Sequence, residues 1–221
     1  MKISYPYLKN FLNTRLTKKE LTEVFTKVGF ECEIDGNIIE FDVTPNRGDA
    51  LSLRGLQREF CASQSQNFPD SLKLTKLQTK SNRSVINQID KQGCLNYHLL
   101  LIRDISSLKK LDIHKRKFLR DAGIPLINPL VDLGNYVMLE IGAPMHVFDL
   151  DQLSLPINVK FPKSNNLPFQ IIGGDIKNIQ NSSLTIQDKL GVQAIAGIIG
   201  GDYTSVTKST KNIAVEAAFF N

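Results

Sequence analysis

Hydrophobic positions early in the chain recur with a helical period. In residues 17–28 (TKKELTEVFTKV), Leu21, Val24, Phe25 and Val28 share one face, while lysines and glutamates fill the other. Thr17 and Glu20 stand at capping-box spacing and Gly29 follows, so both ends of a helix are marked. From residue 30 to 43 (FECEIDGNIIEFDV) two strand-like halves meet at Asp35-Gly36, a hairpin signal. Residues 44–49 (TPNRGD) read as a turn, with Asp49 placed to cap a helix over residues 50–62. These elements predict a compact helix–hairpin–helix module over residues 1–64.

The pattern then lapses. The stretch SQSQNFPDSLKLTKLQTKSNRS is polar and lysine-rich, so residues 65–84 read as a linker, with one short strand near residues 72–77. A second domain is expected over residues 85–221. It should contain a strand over residues 97–105, a basic helix over 111–122 ended by Gly123, and a helix over 129–141 ended by Gly142. Further strands are expected near residues 157–161, 184–186, 194–199 and 213–217. The fold class is α+β: the small module, then a mixed, largely antiparallel sheet domain with flanking helices.

Composition narrows the partners. With 42% hydrophobic residues, a chain of 221 residues can bury one good core or two small ones. The 27 Lys+Arg against 22 Asp+Glu give a formal net charge of +5, compatible with a polyanion such as RNA without requiring one. Cys32, Cys61 and Cys94 form neither a CxxC pair nor a zinc-type cluster. Structural thiols in a reducing, cytoplasmic setting, with no bound metal, are the expectation. No apolar run approaches the roughly 20 residues that span a bilayer, and the start lacks the apolar core of a signal peptide, so no membrane partner is expected.

Four features carry possible chemistry. The run Gly197-Ile198-Ile199-Gly200-Gly201-Asp202 lacks the lysine and Ser/Thr of a phosphate loop; a pocket wall whose glycines admit a ligand fits it better. Lys115, Arg116, Lys117 and Arg120 lie on the basic helix, with Lys109 and Lys110 ahead of it. Their density suits a phosphate backbone, although a solvated helix face is the simpler explanation. Glu216 lies within the apolar run IAVEAAFF. On a strand, Ala214, Glu216 and Ala218 share a face, so Glu216 is either an exposed edge residue or a buried carboxylate that needs a cation or donor opposite it. His146, in GAPMHVFDL, reads from its apolar neighbours as a packed, half-buried histidine.

Three blocks occurring in order change the weight of these features: FDVTPNRGDALSLRGLQREFCA (residues 41–62), INPLVDLGNYVMLEIGAPMHVFDLDQL (127–153) and AIAGIIGGDYTSVTKSTKNIAVEAAFF (194–220). Together they closely resemble the β subunit of bacterial phenylalanyl-tRNA synthetase, through nearly the whole chain apart from the linker. The resemblance implies an N-terminal β-subunit module followed by an editing module that hydrolyses tyrosine wrongly attached to tRNA(Phe). It places His146 and Glu216 in the editing pocket, with Ala196 and Gly197 beside them. It implies an α subunit and tRNA(Phe) as partners and a heterotetramer for the complete enzyme. The ligation chemistry, with ATP and Mg2+, falls to the α subunit, and no cofactor is implied for this chain.

Departures from the family pattern are specific. Gly134 stands where the family has a threonine, so a pocket hydroxyl is missing. The family's Gly-Ile-Arg-Pro-Ile-Asn-Asn run is here Gly123-Ile124-Pro125-Leu126-Ile127-Asn128-Pro129, without the arginine and one asparagine. The chain turns at Asp35-Gly36, where the family inserts a tRNA-binding domain, and the family's C-terminal modules lie beyond the residues present. These departures keep two alternatives open: a non-catalytic tRNA-docking or assembly module with decayed editing, and a free-standing factor that edits in trans.

Overall fold

The computed structural model describes residues 1–69 and 85–221. Most of the expected linker, including the strand near residues 72–77, lies outside the described residues. The described residues pack into two compact units, each discontinuous in sequence: residues 1–69 with Lys109–Pro144, and residues 85–108 with Met145–Asn221.

In the first unit, β1 (Lys2–Ser4) leads into α1 (Tyr5–Phe11), two elements too short for periodicity to reveal. Helix α2 (Lys18–Lys27) carries the expected capping box: the Glu20 carboxylate accepts the Thr17 N–H at 2.7 Å, and Thr17 Oγ1 accepts the Glu20 N–H at 3.4 Å. Strands β2 (Glu31–Asp35) and β3 (Ile38–Asp42) form the hairpin, and β1 joins the other edge of β3 to give the antiparallel order β1-β3-β2.

The next helix starts later than the sequence suggests. Residues Pro45–Ala50 form a 3-10 turn, and α3 spans Leu53–Ser63. Asp49 is therefore not the cap. Ser52, in extended conformation, accepts the Gly55 N–H at 3.0 Å, while Asp49 pairs with Arg47 at 3.0 Å and with Arg58. The 3-10 turn inserts residues between Asp49 and the first free helical N–H groups, which only the Ser52 hydroxyl then reaches.

Helices α4 (Ile113–Asp121) and α5 (Pro129–Ile141) complete this unit, whereas the sequence reading counts them with the second. Phe118, Leu119 and Tyr136 enter the same core as Ile3, Leu8, Phe25, Phe41 and Leu56. Phe118 stacks on Tyr7 with centroids 4.5 Å apart, and the Tyr7 and Tyr136 hydroxyls meet at 3.2 Å. An apolar helix stripe shows that a helix is buried but not against which core, so the sequence is silent on this choice. The α5 ends follow expectation: Asn128 accepts the Leu130 and Val131 N–H groups, and Gly142 closes the helix at φ +80°.

The second unit contains β4 (Ile86–Ile89), β5 (Cys94–Ile102), β6 (Met145–Asp149), β7 (Ile157–Lys160), β8 (Leu167–Gln170), β9 (Ile176–Ile179), β10 (Thr185–Gln187), β11 (Val192–Ile195), β12 (Ile199–Gly200) and β13 (Ile213–Phe220). They form a five-stranded sheet β12-β11-β10-β7-β4, a three-stranded sheet β5-β13-β6 and the hairpin β8-β9. The β4–β7 pair is parallel and the other pairings are antiparallel, so the expected mixed, largely antiparallel α+β fold holds. One core joins the two larger sheets: Tyr97, Phe148 and Ala214 pack with Ile157, Val159, Ile186 and Ala194. No helix among the described residues is long and apolar enough to cross a membrane.

Candidate functional site

Strand β13 lies at the centre of the three-stranded sheet and places Glu216 on its inner face. On β6 the residue directly opposite Glu216 is His146, and on β5 it is Leu99. Directly paired residues in an antiparallel ladder point to the same face, so the carboxylate and the imidazole are brought together by register. Ala214 and Ala218 flank Glu216 on that face, and Tyr97 of β5 is paired with Ala218. The small alanine leaves room for the Tyr97 ring, whose hydroxyl donates to Glu216 Oε2 at 2.7 Å.

Of the two environments the sequence left open for Glu216, the buried one is found: it is 5% exposed, and its donor is the Tyr97 phenol rather than a cation. Burial pushes the Glu216 carboxyl up to about 7, partly offset by the Tyr97 hydrogen bond. Burial first, and then the Glu216 charge, raise the Tyr97 phenol, so it remains a donor at neutral pH.

His146 stands edge-on to Phe148, with centroids 4.4 Å apart. Its Nε2 is buried with no hydrogen-bond partner among the described residues. Desolvation holds its pKa down to about 4, so at neutral pH the ring is uncharged. Gly200 of β12 lies against this ring: a Cβ there would stand 2.7 Å from Nε2 and 3.1 Å from the Ile172 Cδ1. The turn between β11 and β12 holds Ala196 and Gly197. Gly197 adopts φ +68°, and a Cβ on it would meet Phe220 of β13 at 3.3 Å. The glycine-rich run is thus a tight turn crossing the face that carries Glu216.

Ala196 lines a neighbouring cleft of about 360 Å³ with Gln92, Gly93, Leu184, Ile198 and Phe220; His146 and Glu216 are not among its lining residues. Gly134 belongs to the other unit, on α5, so within either unit it is not joined to the other four candidates. On α4, Lys115 pairs with Asp112 at 2.8 Å and Lys117 with Asp121 at 2.6 Å. Arg116 and Arg120 have no ion-pair partner among the described residues, so of the four basic candidates these two remain uncommitted. Pro125 precedes α5, and Pro129 occupies its first turn.

Sequence reasoning missed Tyr97. A strand over residues 97–105 is expected from the sequence, but only the register of β5 with β13 brings the phenol to Glu216. Cys32, Cys61 and Cys94 are free thiols, and burial raises all three, Cys32 to about 11. No group of three His, Cys, Asp or Glu side chains among the described residues is placed to hold a metal ion.

The fold and the inner-face site define a class. Residues 93–221 match the profile of the B3/4 domain, and the chain belongs to that family. It is 33% identical over 187 residues to the phenylalanine–tRNA ligase β subunit of Mannheimia succiniciproducens, covering 85% of this chain and 23% of that protein. It is 36% identical over 208 residues to the β subunit of Francisella tularensis, covering 89% and 25%. The chain therefore spans about a quarter of the length of these relatives. A crystal structure of an N-terminal fragment of the phenylalanyl-tRNA synthetase β subunit from Pyrococcus horikoshii aligns with a TM-score of 0.49 at 15% identity, over 99% of this chain and 67% of that one.

Proposed function

We propose that this chain is part of a phenylalanine–tRNA ligase β subunit, and that its second unit hydrolyses tyrosine wrongly joined to tRNA(Phe). The observation that carries the reading is a buried carboxylate, Glu216, already accepting a phenol O–H at 2.7 Å on a face shared with His146. The family membership and the relatives' names support it. A tyrosyl group differs from a phenylalanyl group by one hydroxyl, and a site that must satisfy a buried carboxylate favours the one that brings a donor. Phenylalanine at the same place leaves Glu216 desolvated and unpaired, at a cost of roughly 1–3 kcal/mol.

In the hydrolysis, water oxygen bonds to the ester carbonyl carbon, the bond to the terminal ribose oxygen breaks, and that oxygen takes a proton. His146, neutral at pH 7, contacts the substrate or positions the water. Gly197 lets the amino acid or the ribose approach the backbone of the β11–β12 turn. Arg116 and Arg120 are the residues on α4 best placed to meet tRNA phosphate, because Lys115 and Lys117 are held by aspartates. Phenylalanine ligation, with its ATP and Mg2+, belongs in this reading to the α subunit of a cytoplasmic heterotetramer.

The test is deacylation of tyrosyl-tRNA(Phe) by the chain, with and without an α subunit. Hydrolysis that Glu216→Ala abolishes is the expected result; no hydrolysis in either setting overturns it. One observation favours a second reading, a docking module without hydrolysis: the Glu216 carboxylate is already engaged by Tyr97.

A further inference from the structure

The hydrogen bond between Tyr97 and Glu216 bears on how the site selects its ligand. Tyr97 is 4% exposed and Glu216 5% exposed, so both polar tips are committed to one another away from solvent. Their contact is diagonal in the ladder: the residue opposite Tyr97 is Ala218, and the residue opposite Glu216 on β5 is Leu99. Reaching the carboxylate requires the ring to lie along the face over Ala218, which is the space a ligand phenol directed at Glu216 would need. Around this pair stand the unpartnered His146 Nε2, the Phe148 ring and the backbone of Gly200.

We infer that Tyr97 is an internal occupant of the phenol-accepting position, and that a tyrosyl ligand binds by exchanging its own phenol for that of Tyr97 at Glu216. This rests on the editing reading of the same site and deepens it. Exchange has a definite consequence for affinity. With tyrosine, one phenol–carboxylate bond replaces another and the buried carboxylate is never left unpaired. With phenylalanine, the Tyr97 bond is lost and nothing replaces it. The resting state therefore holds back both ligands, and the hydroxyl of the correct one restores what entry removes. Tyr97 acts through Glu216 on the affinity for both ligands, leaves the discrimination between them to Glu216, and takes no part in bond breaking.

The experiment uses the full chain with tyrosinamide and phenylalaninamide as probes, in wild type, Tyr97→Phe and Glu216→Gln. Exchange predicts that Tyr97→Phe tightens both probes by a similar factor, on the order of tenfold, because neither then has a resting hydrogen bond to break. The ratio between the probes should be unchanged. In wild-type protein with 13C-labelled tyrosine, the Tyr97 Cζ resonance should shift on saturation with tyrosinamide, which tests exchange without relying on a variant that folds.

If Tyr97→Phe leaves affinities unchanged or weaker and the Tyr97 resonance does not move, while Glu216→Gln still weakens tyrosinamide, exchange is overturned and the editing reading stands. If tyrosinamide binds nowhere, or binds without regard to Glu216→Gln, the editing reading falls and exchange falls with it.

Discussion

Glu216 and His146 face one another across the β13–β6 ladder, and burial drives their protonation in opposite directions. The carboxyl rises from 4.5 to about 7 and the imidazole falls from 6.5 to about 4, so each shifts toward its neutral form; at pH 7 His146 is uncharged and Glu216 is shared between carboxyl and carboxylate. Neutrality is what an apolar inner face imposes on groups without an opposite charge beside them.

Stability should record this with two opposing slopes. Glu216 binds its proton more tightly in the folded chain, so its contribution is full below 4.5 and is lost as pH rises through about 7. His146 binds its proton less tightly when folded, so its contribution is present above 6.5 and is lost as pH falls through about 4. Between 4.5 and 6.5 the two slopes oppose. Relative to wild type, Glu216→Gln should gain stability with rising pH over that window, and His146→Gln should lose it. Urea midpoints across the window check this; variant profiles that run parallel to wild type would refute it.

Gly200→Ala should destabilise the second unit by about 1–3 kcal/mol, because the methyl group would press on the His146 ring and on Ile172 Cδ1 at 3.1 Å. The His146 ring proton shifts should change in the same variant. Unaltered shifts with unaltered stability would show that the turn gives way instead.

Two helical glycines should behave in opposite ways. At Gly55 a methyl group would collide with the Asp49 carbonyl oxygen and stand 2.9 Å from the Ala50 Cα, all backbone, so Gly55→Ala should cost about 3 kcal/mol or more. At Gly134 nothing lies within 4 Å of an added Cβ, so Gly134→Ala should stabilise α5 by roughly 0.5–1 kcal/mol. Chemical denaturation of both variants tests the pair.

The start of α3 can be located by capping. Ser52→Ala should cost about 1 kcal/mol, whereas Asp49→Ala, which removes exposed ion pairs, should cost less than about 1 kcal/mol and lose its effect in high salt. A larger loss from Asp49→Ala would return the cap to that residue.

Much of this was legible from local pattern alone. The α2 capping box, the hairpin at Asp35-Gly36 and α5 from Asn128 to Gly142 each depend on residues a few positions apart, and neighbouring chemistry is enough to specify them. The α3 start failed because residues Pro45–Ala50, read as a turn and the first residue of the helix, form a 3-10 turn that delays α3 to Leu53, with Ser52 as its cap. The strand character of IAVEAAFF and the common face of Ala214, Glu216 and Ala218 also followed from alternation.

What the sequence by itself determined was the set of local elements, the α+β class and, through resemblance, the residues of the candidate site. Only the tertiary structure decided that α4 and α5 pack with the first unit, and that Tyr97 rather than a cation answers Glu216. The reason is range. A helix stripe or a strand face records that a side chain is buried, but its partner is set by ladder register and core assignment, which join residues 97 and 216, or 146 and 216, far apart in the chain.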